Sequence, residues 1–294
     1  MKIKLLSFYE ELEYKMNNFL TPEEIAQFTV NSGIKKANMK WYKQILLAIM
    51  SGIFIALAAN GSSAASYGIT PVGLSKALAG TLFATGLIFV VIAGGELFTG
   101  NCLIMMSVLD KKTKLRQMIA NLICVYFGNF IGSVLICFMA YHSSQYNMDG
   151  GLLGASTIKT AVAKCSFGFK EAFFMGVLCN IIVCLAVWVA SAAKDIAGKV
   201  LVILFPIYLF VSAGFEHSVA NMYYITAGLF AKCNDKYVEV AKTAYGITPE
   251  KLEQLNIKNF LIGNLVPVTL GNIVGGAILI AGMYWLIYIP KKNA

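Results

Sequence analysis

Phe210-Val-Ser-Ala-Gly-Phe-Glu-His-Ser-Val-Ala-Asn221 places a glutamate and one of the chain's two histidines inside an apolar run long enough to cross a bilayer. Titratable side chains within a span are expensive, and they mark a pathway or a relay by default. Glu216 cannot be ignored there, and the imidazole of His217 can donate or accept a proton or a hydrogen bond. A second stretch, Gly94-Gly-Glu-Leu-Phe-Thr-Gly-Asn101, sets Glu96 and the hydroxyl of Thr99 among glycines in another apolar run. Gly94 and Gly95, and Ser212, Ala213 and Gly214, are small enough to let each helix break. Such a break at membrane depth is tolerated only where it is buried in protein or lines a cavity. The chemistry suggested is the passage of a small charged solute, with Glu216 and His217 at the centre of the path. Hydrolysis is not suggested. Glu216-His217 lacks the second histidine at helical spacing that a zinc site needs, so no metal, cofactor or enzymatic activity is expected.

These residues need a membrane domain to hold them. The 294 residues are 58% hydrophobic and 13% charged, with a mean hydropathy of +0.69. Soluble domains carry about 25% charged residues, so the chain reads as an integral membrane protein. Six apolar segments appear, at about 45–66, 77–109, 118–141, 172–193, 200–229 and 260–289. About 20 residues suffice for a crossing. The second and fifth segments exceed that and carry the interruptions described above, which suits broken helices; a long, tilted helix is the competing reading.

The net charge of +9 is explained by topology. Lys35, Lys36, Lys40 and Lys43 precede the first span. Lys111, Lys112, Lys114 and Arg116 follow the second, Lys194 and Lys199 separate the fourth from the fifth, and Lys291 and Lys292 follow the sixth. All fall on one side if both termini are cytoplasmic, the positive-inside pattern. Nucleic-acid binding is not expected, because no basic fold or motif accompanies the charge. Five of the seven cysteines (Cys102, Cys124, Cys137, Cys179 and Cys184) fall in apolar spans without ligand spacing and are read as packing groups.

Residues 1–43 read as a cytoplasmic N-terminal segment, and 44–294 as the channel domain. Within the segment, Thr21-Pro22-Glu23-Glu24 starts a helix with Ile25, Phe28 and Ser32 on one face. Gly33 can end it. The helix is expected on the membrane surface or against the pore mouth.

The channel domain repeats, at about 44–142 and 170–290. Asn121-Leu-Ile-Cys-Val-Tyr-Phe-Gly-Asn129-Phe-Ile-Gly132 aligns with Asn264-Leu-Val-Pro-Val-Thr-Leu-Gly-Asn272-Ile-Val-Gly275, and Gly94, Glu96 and Asn101 align with Gly214, Glu216 and Asn221. Three spans per half force the second half to be inverted. Inverted repeats with corresponding breaks point to a site at the repeat interface, which here includes Glu96, Asn129 and Asn272.

Glu96-Leu-Phe-Thr99, Gly214-Phe-Glu-His-Ser-Val-Ala-Asn-Met222, Asn180-Ile-Ile-Val-Cys-Leu-Ala-Val-Trp188 and Asn264-Leu-Val-Pro-Val-Thr-Leu-Gly-Asn-Ile-Val-Gly-Gly276 resemble the signatures of the formate/nitrite transporter family, most of all its clostridial hydrosulfide branch. The resemblance implies an all-α, aquaporin-like fold of six transmembrane helices, built from two inverted three-helix repeats with broken second and fifth helices. It implies a homopentamer with one pore per subunit, in the inner (plasma) membrane of a bacterium, carrying a small monovalent anion such as hydrosulfide, formate or nitrite. It makes His217 the central pore histidine, Thr99 the threonine facing it, Asn180 the pore asparagine and Glu216 the glutamate that ties the broken loops. Lys164 becomes a vestibule lysine, although Ala163-Lys164-Cys165 departs from the histidine-rich pattern of formate members. Phe83 and Phe210 become the outer apolar constriction, and Leu87, Leu97 and Phe98 the inner one. A bare anion crosses apolar rings poorly, because stripping its water costs several kcal/mol or more. A weak acid avoids that cost by crossing as the neutral species, with a proton as co-substrate. His217 either supplies that proton or, kept neutral by burial, only donates a hydrogen bond.

Overall fold

The computed structural model describes residues 19–289. The expected Lys291 and Lys292, and residues 1–18 of the N-terminal segment, lie outside them. Among the described residues six helices are long and apolar enough to cross a membrane.

Helix α1 (Pro22–Ala37) begins as its sequence predicts. Thr21 Oγ1 accepts from the Glu24 N–H at 3.4 Å, and the Thr21 N–H donates to Glu24 Oε2 at 2.7 Å, so each satisfies an orphan donor of the first turn. Two expectations for α1 are corrected. Gly33 does not end the helix, which continues to Ala37; a side chain at Gly33 would strike Ser107. The buried face is Ile25, Ala26, Thr29, Val30 and Gly33, whereas Phe28 and Ser32 border a cavity. The segment before α1 is tied down as well, its Leu20 N–H donating to the Ala192 carbonyl at 2.9 Å.

The spans follow: α2 (Trp41–Ser66), α3 (Val72–Phe89, extended by a widened turn to Gly94), the half-length α4 (Phe98–Leu109) and α5 (Leu115–His142). A connector helix α6 (Leu152–Cys165) leads to α7 (Phe169–Ala192), α8 (Ile196–Ala213) and α9 (Ser218–Lys232). Two short helices, α10 (Asp235–Tyr245) and α11 (Pro249–Gln254), precede the last span, α12 (Asn259–Tyr288). The 28 residues of α5 reach about 42 Å at 1.5 Å per residue, enough to cross the hydrocarbon core. Since α1 contacts the start of α5 through Asn38 and Gln117, and α6 lies beyond the end of α5, α1 and α6 sit at opposite ends of the bundle.

Small residues set the packing. In lipid the drive to associate comes from close van der Waals contact, so helices touch where side chains are small. Gly52 and Gly132 bring α2 against α5, with the Asn129 and Ile49 backbones in contact. Gly176, Gly271 and Gly275 do the same for α7 and α12, against Val268, Phe173 and Val177. The halves meet where α3 lies on α8, Gly80 against the Tyr208 backbone. The outward surface is apolar, with Phe127, Ile131, Phe205, Leu209, Ile262 and Leu286 exposed.

Candidate functional site

Both breaks start from a glycine in the left-handed region, Gly94 at φ 90° and Gly214 at φ 78°. That backbone suits glycine because it has no Cβ to clash with the following carbonyl. Three residues then link each pair of half-helices, Gly95–Leu97 before α4 and Phe215–His217 before α9.

An asparagine clamps each link. Asn129 on α5 accepts from the Phe98 N–H (3.0 Å) and donates to the Glu96 (2.9 Å) and Ala48 (2.8 Å) carbonyls. Asn272 on α12 accepts from the Ser218 N–H (2.9 Å) and donates to the Glu216 (3.0 Å) and Gly176 (2.8 Å) carbonyls. Each fully buried amide satisfies backbone groups that a broken helix exposes and that lipid cannot hydrogen-bond. The glutamates were expected to hold the loop N–H groups. The asparagines do so, because their amides can both donate and accept.

The carboxylates are spent elsewhere. Glu216 Oε1 pairs with Lys164 Nζ at 2.6 Å, and Oε2 accepts from Asn221 Nδ2 at 2.6 Å. Asn221 also donates to Asn264 Oδ1 at 2.8 Å, and Asn264 donates to the Lys164 carbonyl at 2.8 Å. At the other end Glu96 Oε1 pairs with Lys36 Nζ at 2.7 Å, and Oε2 accepts from Asn101 Nδ2 at 2.6 Å. Asn101 donates to Asn121 Oδ1 at 2.8 Å, and Asn121 to the Lys36 carbonyl at 3.2 Å. The two rings of contacts are counterparts. The expected vestibule lysine, Lys164, is therefore neutralised by its own carboxylate, and its ammonium also lies 5.3 Å from the Tyr224 ring centroid. The rings differ in two contacts: Asn264 Nδ2 also donates to Glu216 Oε2 at 3.4 Å, with no counterpart from Asn121 to Glu96. Lys36 also donates to Asn101 Oδ1 at 2.9 Å, whereas Asn221 Oδ1 has no such partner.

The N-terminal ends of α4 and α9 meet at the centre, where Thr99 Oγ1 and His217 Nε2 are 2.9 Å apart. His217 is also the N-cap of α9, its Nδ1 accepting from the Ala220 N–H at 3.0 Å. That bond assigns the tautomer. With Nδ1 an acceptor, a neutral ring carries its proton on Nε2 and donates it to the threonine hydroxyl. Asn180 Nδ2 donates to the Thr99 (3.3 Å) and Asn272 (2.6 Å) carbonyls, and Cys184 Sγ donates to the Thr99 carbonyl at 3.3 Å. Asn180, expected as the pore asparagine, and a cysteine read as packing thus brace the threonine.

Of the residues expected at the constrictions, Phe83 and Phe210 meet edge to face at 5.6 Å between centroids, and Phe210 stands 6.0 Å from the His217 ring. Towards α1, Leu87 and Leu97 close the floor of a cavity of about 810 Å³, joined there by Val90. Phe98 does not line that cavity; its ring packs on Tyr126 at 5.0 Å.

Sequence reasoning missed Lys36, Asn101, Asn121, Asn221 and Asn264 as site residues. The helices before the first and fourth spans, α1 and α6, each supply the lysine of one ring. The alignment of Asn101 with Asn221 and of Asn121 with Asn264 was the available signal. Four buried asparagines in apolar spans need partners, and the two glutamates were at hand.

Comparison with known proteins agrees with this geometry. A family model described as formate/nitrite transporter matches residues 23–286. The chain is 35% identical over 278 residues to the formate channel FocA of Escherichia coli K12, covering 94% of this chain and 97% of that one. It is 39% identical over 267 residues to the formate channel FocA of Haemophilus influenzae, covering 89% and 92%. Among solved structures, one described as a pentameric formate channel with formate bound superposes with a TM-score of 0.74 at 38% identity, over 85% of this chain and 98% of that one. With its paired helix breaks, asparagine clamps and six spans, this chain belongs to the formate/nitrite transporter family, and it is an integral membrane channel or transporter and not an enzyme.

Proposed function

We propose that the chain forms a pore for a small monovalent weak-acid anion, with formate the first candidate, which passes the centre as the neutral acid. The single observation behind this is the contact of His217 with Thr99 between two apolar constrictions, where the N-terminal ends of α4 and α9 converge. Convergent helix N-termini favour an approaching anion. The apolar rings oppose a bare charge. Formate with a proton meets both demands. His217 acts as a neutral hydrogen-bond donor, with the proton coming from bulk water. Protonating Nδ1 would break the bond from Ala220 and add a positive charge at the positive end of α9.

The formate relatives favour formate over the hydrosulfide to which the sequence points, and nitrite and hydrosulfide remain permeants of the same chemistry. The pore is a homopentamer subunit in a bacterial plasma membrane, with the α1 end cytoplasmic. The lysines near the ends of α1, α3–α4 and α7 support that orientation, and the outward apolar side chains suit lipid and neighbouring subunits.

The test is uptake by purified protein in liposomes, comparing formate, nitrite and hydrosulfide at two pH values, with empty liposomes correcting for passive leak. Formate flux that rises as pH falls supports the reading. High water permeability without anion flux would replace it with a neutral-solute channel.

A further inference from the structure

The cavity at the α1 end is larger and more basic than one small anion requires. Its volume of about 810 Å³ falls in the range of about 300–1,000 Å³ typical of sites for drug-sized ligands. Five lysines line it, from four separate segments. Lys35 and Lys36 come from α1, Lys43 from the start of α2, Lys194 from the α7–α8 connection and Lys199 from α8. The lining carboxylate is Glu96, and it is already paired with Lys36. The nearby Asp195 is committed as well, capping α8 by accepting from the Gly198 N–H at 2.7 Å. Among the described residues Lys35, Lys43 and Lys199 make no ion pair. Phe28, Met39 and Leu20 add apolar wall, and Leu87, Leu97 and Val90 close the floor towards the pore centre.

Lysines that only set topology need to lie near the membrane surface; they need not converge from four segments on one cavity. The Lys36–Glu96 pair matches Lys164–Glu216 and serves the helix break, so Lys35, Lys43 and Lys199 are surplus to the clamp. A multivalent anion spanning several ammonium groups would be held there. It could not pass the apolar floor, because every charge would have to be desolvated.

We propose that the α1-end cavity is a regulatory site for a soluble multivalent phosphate-bearing anion, of the polyphosphate or nucleoside triphosphate class, whose binding plugs the pore. This rests on the reading of the chain as an anion pore with its mouth at α1.

The experiment has two arms. In the first, the full-length protein, confirmed by size-exclusion chromatography as intact, is titrated with tripolyphosphate and with ATP by calorimetry, alongside sulfate at matched ionic strength. Tripolyphosphate and ATP are expected to bind, sulfate not. K43Q/K199Q is expected to weaken binding about tenfold, from the loss of two contacts, and rising salt to weaken it further. In the second arm formate flux is measured in right-side-out and inverted membrane vesicles. Each value is normalised to the same variant's flux without polyanion. Block is expected only when the polyanion faces α1. Absence of binding, block from both faces, or unchanged binding in K43Q/K199Q would overturn the proposal. So would displacement of the soluble anions by phosphatidylglycerol but not phosphatidylcholine, which would make the occupant a lipid headgroup. If the chain carries no formate, the flux arm sinks the pore reading, while the calorimetric arm still decides whether the site exists.

Discussion

Lys36 stands to Glu96 as Lys164 stands to Glu216: the Nζ–Oε1 distances are 2.7 and 2.6 Å, and in each pair the other carboxylate oxygen accepts from an asparagine five residues on, Asn101 or Asn221, at 2.6 Å. The environments are not equal. The Lys36 side chain is 27% exposed and that of Lys164 14%, so water screens the first pair more. Removing one partner of a buried pair leaves an uncompensated charge and costs about 3–5 kcal/mol, whereas removing both is far milder. Lys164→Met is therefore expected to destabilise the detergent-solubilised protein strongly, and Lys164→Met with Glu216→Gln to recover much of the loss. Lys36→Met is expected to cost less than Lys164→Met. Thermal melts of the four proteins check this, and a double variant no better than the single would refute the pairing.

The asparagine clamps can be tested in isolation. Asn272→Ala removes three hydrogen bonds and orphans the Ser218 N–H and the Glu216 carbonyl, while the Gly176 carbonyl, inside α7, keeps its helical bond. A net bond is worth about 1 kcal/mol, and an orphaned buried group costs about 1–3, so a loss of roughly 3 kcal/mol or more is expected. Asn129→Ala should lose a similar amount at the other break. A melting temperature unchanged in either variant would remove that clamp from the account.

At the glycine breaks the expectation is purely conformational. A Cβ on Gly94 meets nothing within 4 Å, and one on Gly214 meets only Lys76 Nζ at 3.7 Å. Alanine at either site should still cost about 1–2 kcal/mol, from the positive φ alone. A neutral alanine at both positions, measured by the same melts, would show that the backbone relaxes freely there.

His217 separates two routes for the proton. Asparagine is a good N-cap and can accept from the Ala220 N–H, so His217→Asn should keep the start of α9 intact. If the imidazole only donates to Thr99, formate flux in this variant still rises as pH falls, at reduced magnitude. A flat pH profile in a folded His217→Asn protein would assign the proton to the ring.

Much of this could be read from the residues. Glycines and carboxylates interrupting apolar runs announced both breaks, and the Asn-x₇-Asn spacing shared by 121–129 and 264–272 announced the matching asparagine contacts at them. Three other features were not legible. Helices α6, α10 and α11 are short, and lie in stretches whose polar and charged residues read as loop. Lys36 was hidden among Lys35, Lys40 and Lys43, where topology already accounted for every charge, and Glu96 lies 60 residues away. The offset between halves also changes along the chain: it is 128 residues from Lys36 to Lys164, 120 from Glu96 to Glu216 and 143 from Asn121 to Asn264, the last lengthened by α10 and α11. A single alignment therefore joins Glu96 to Glu216 but not Lys36 to Lys164.

Each clamp draws on one half alone. Lys36, Glu96, Asn101, Asn121 and Asn129 lock the first break, and Lys164, Glu216, Asn221, Asn264 and Asn272 the second. A ribosome that has released only the first half has already delivered everything needed to close its re-entrant turn in the membrane. The bond from Thr99 to His217, and those from Asn180 and Cys184 to the Thr99 carbonyl, wait for the second half. The proposed conduction path is thus a seam between two separately finished pieces, and two polypeptides divided between His142 and Leu152 would be expected to reassemble it.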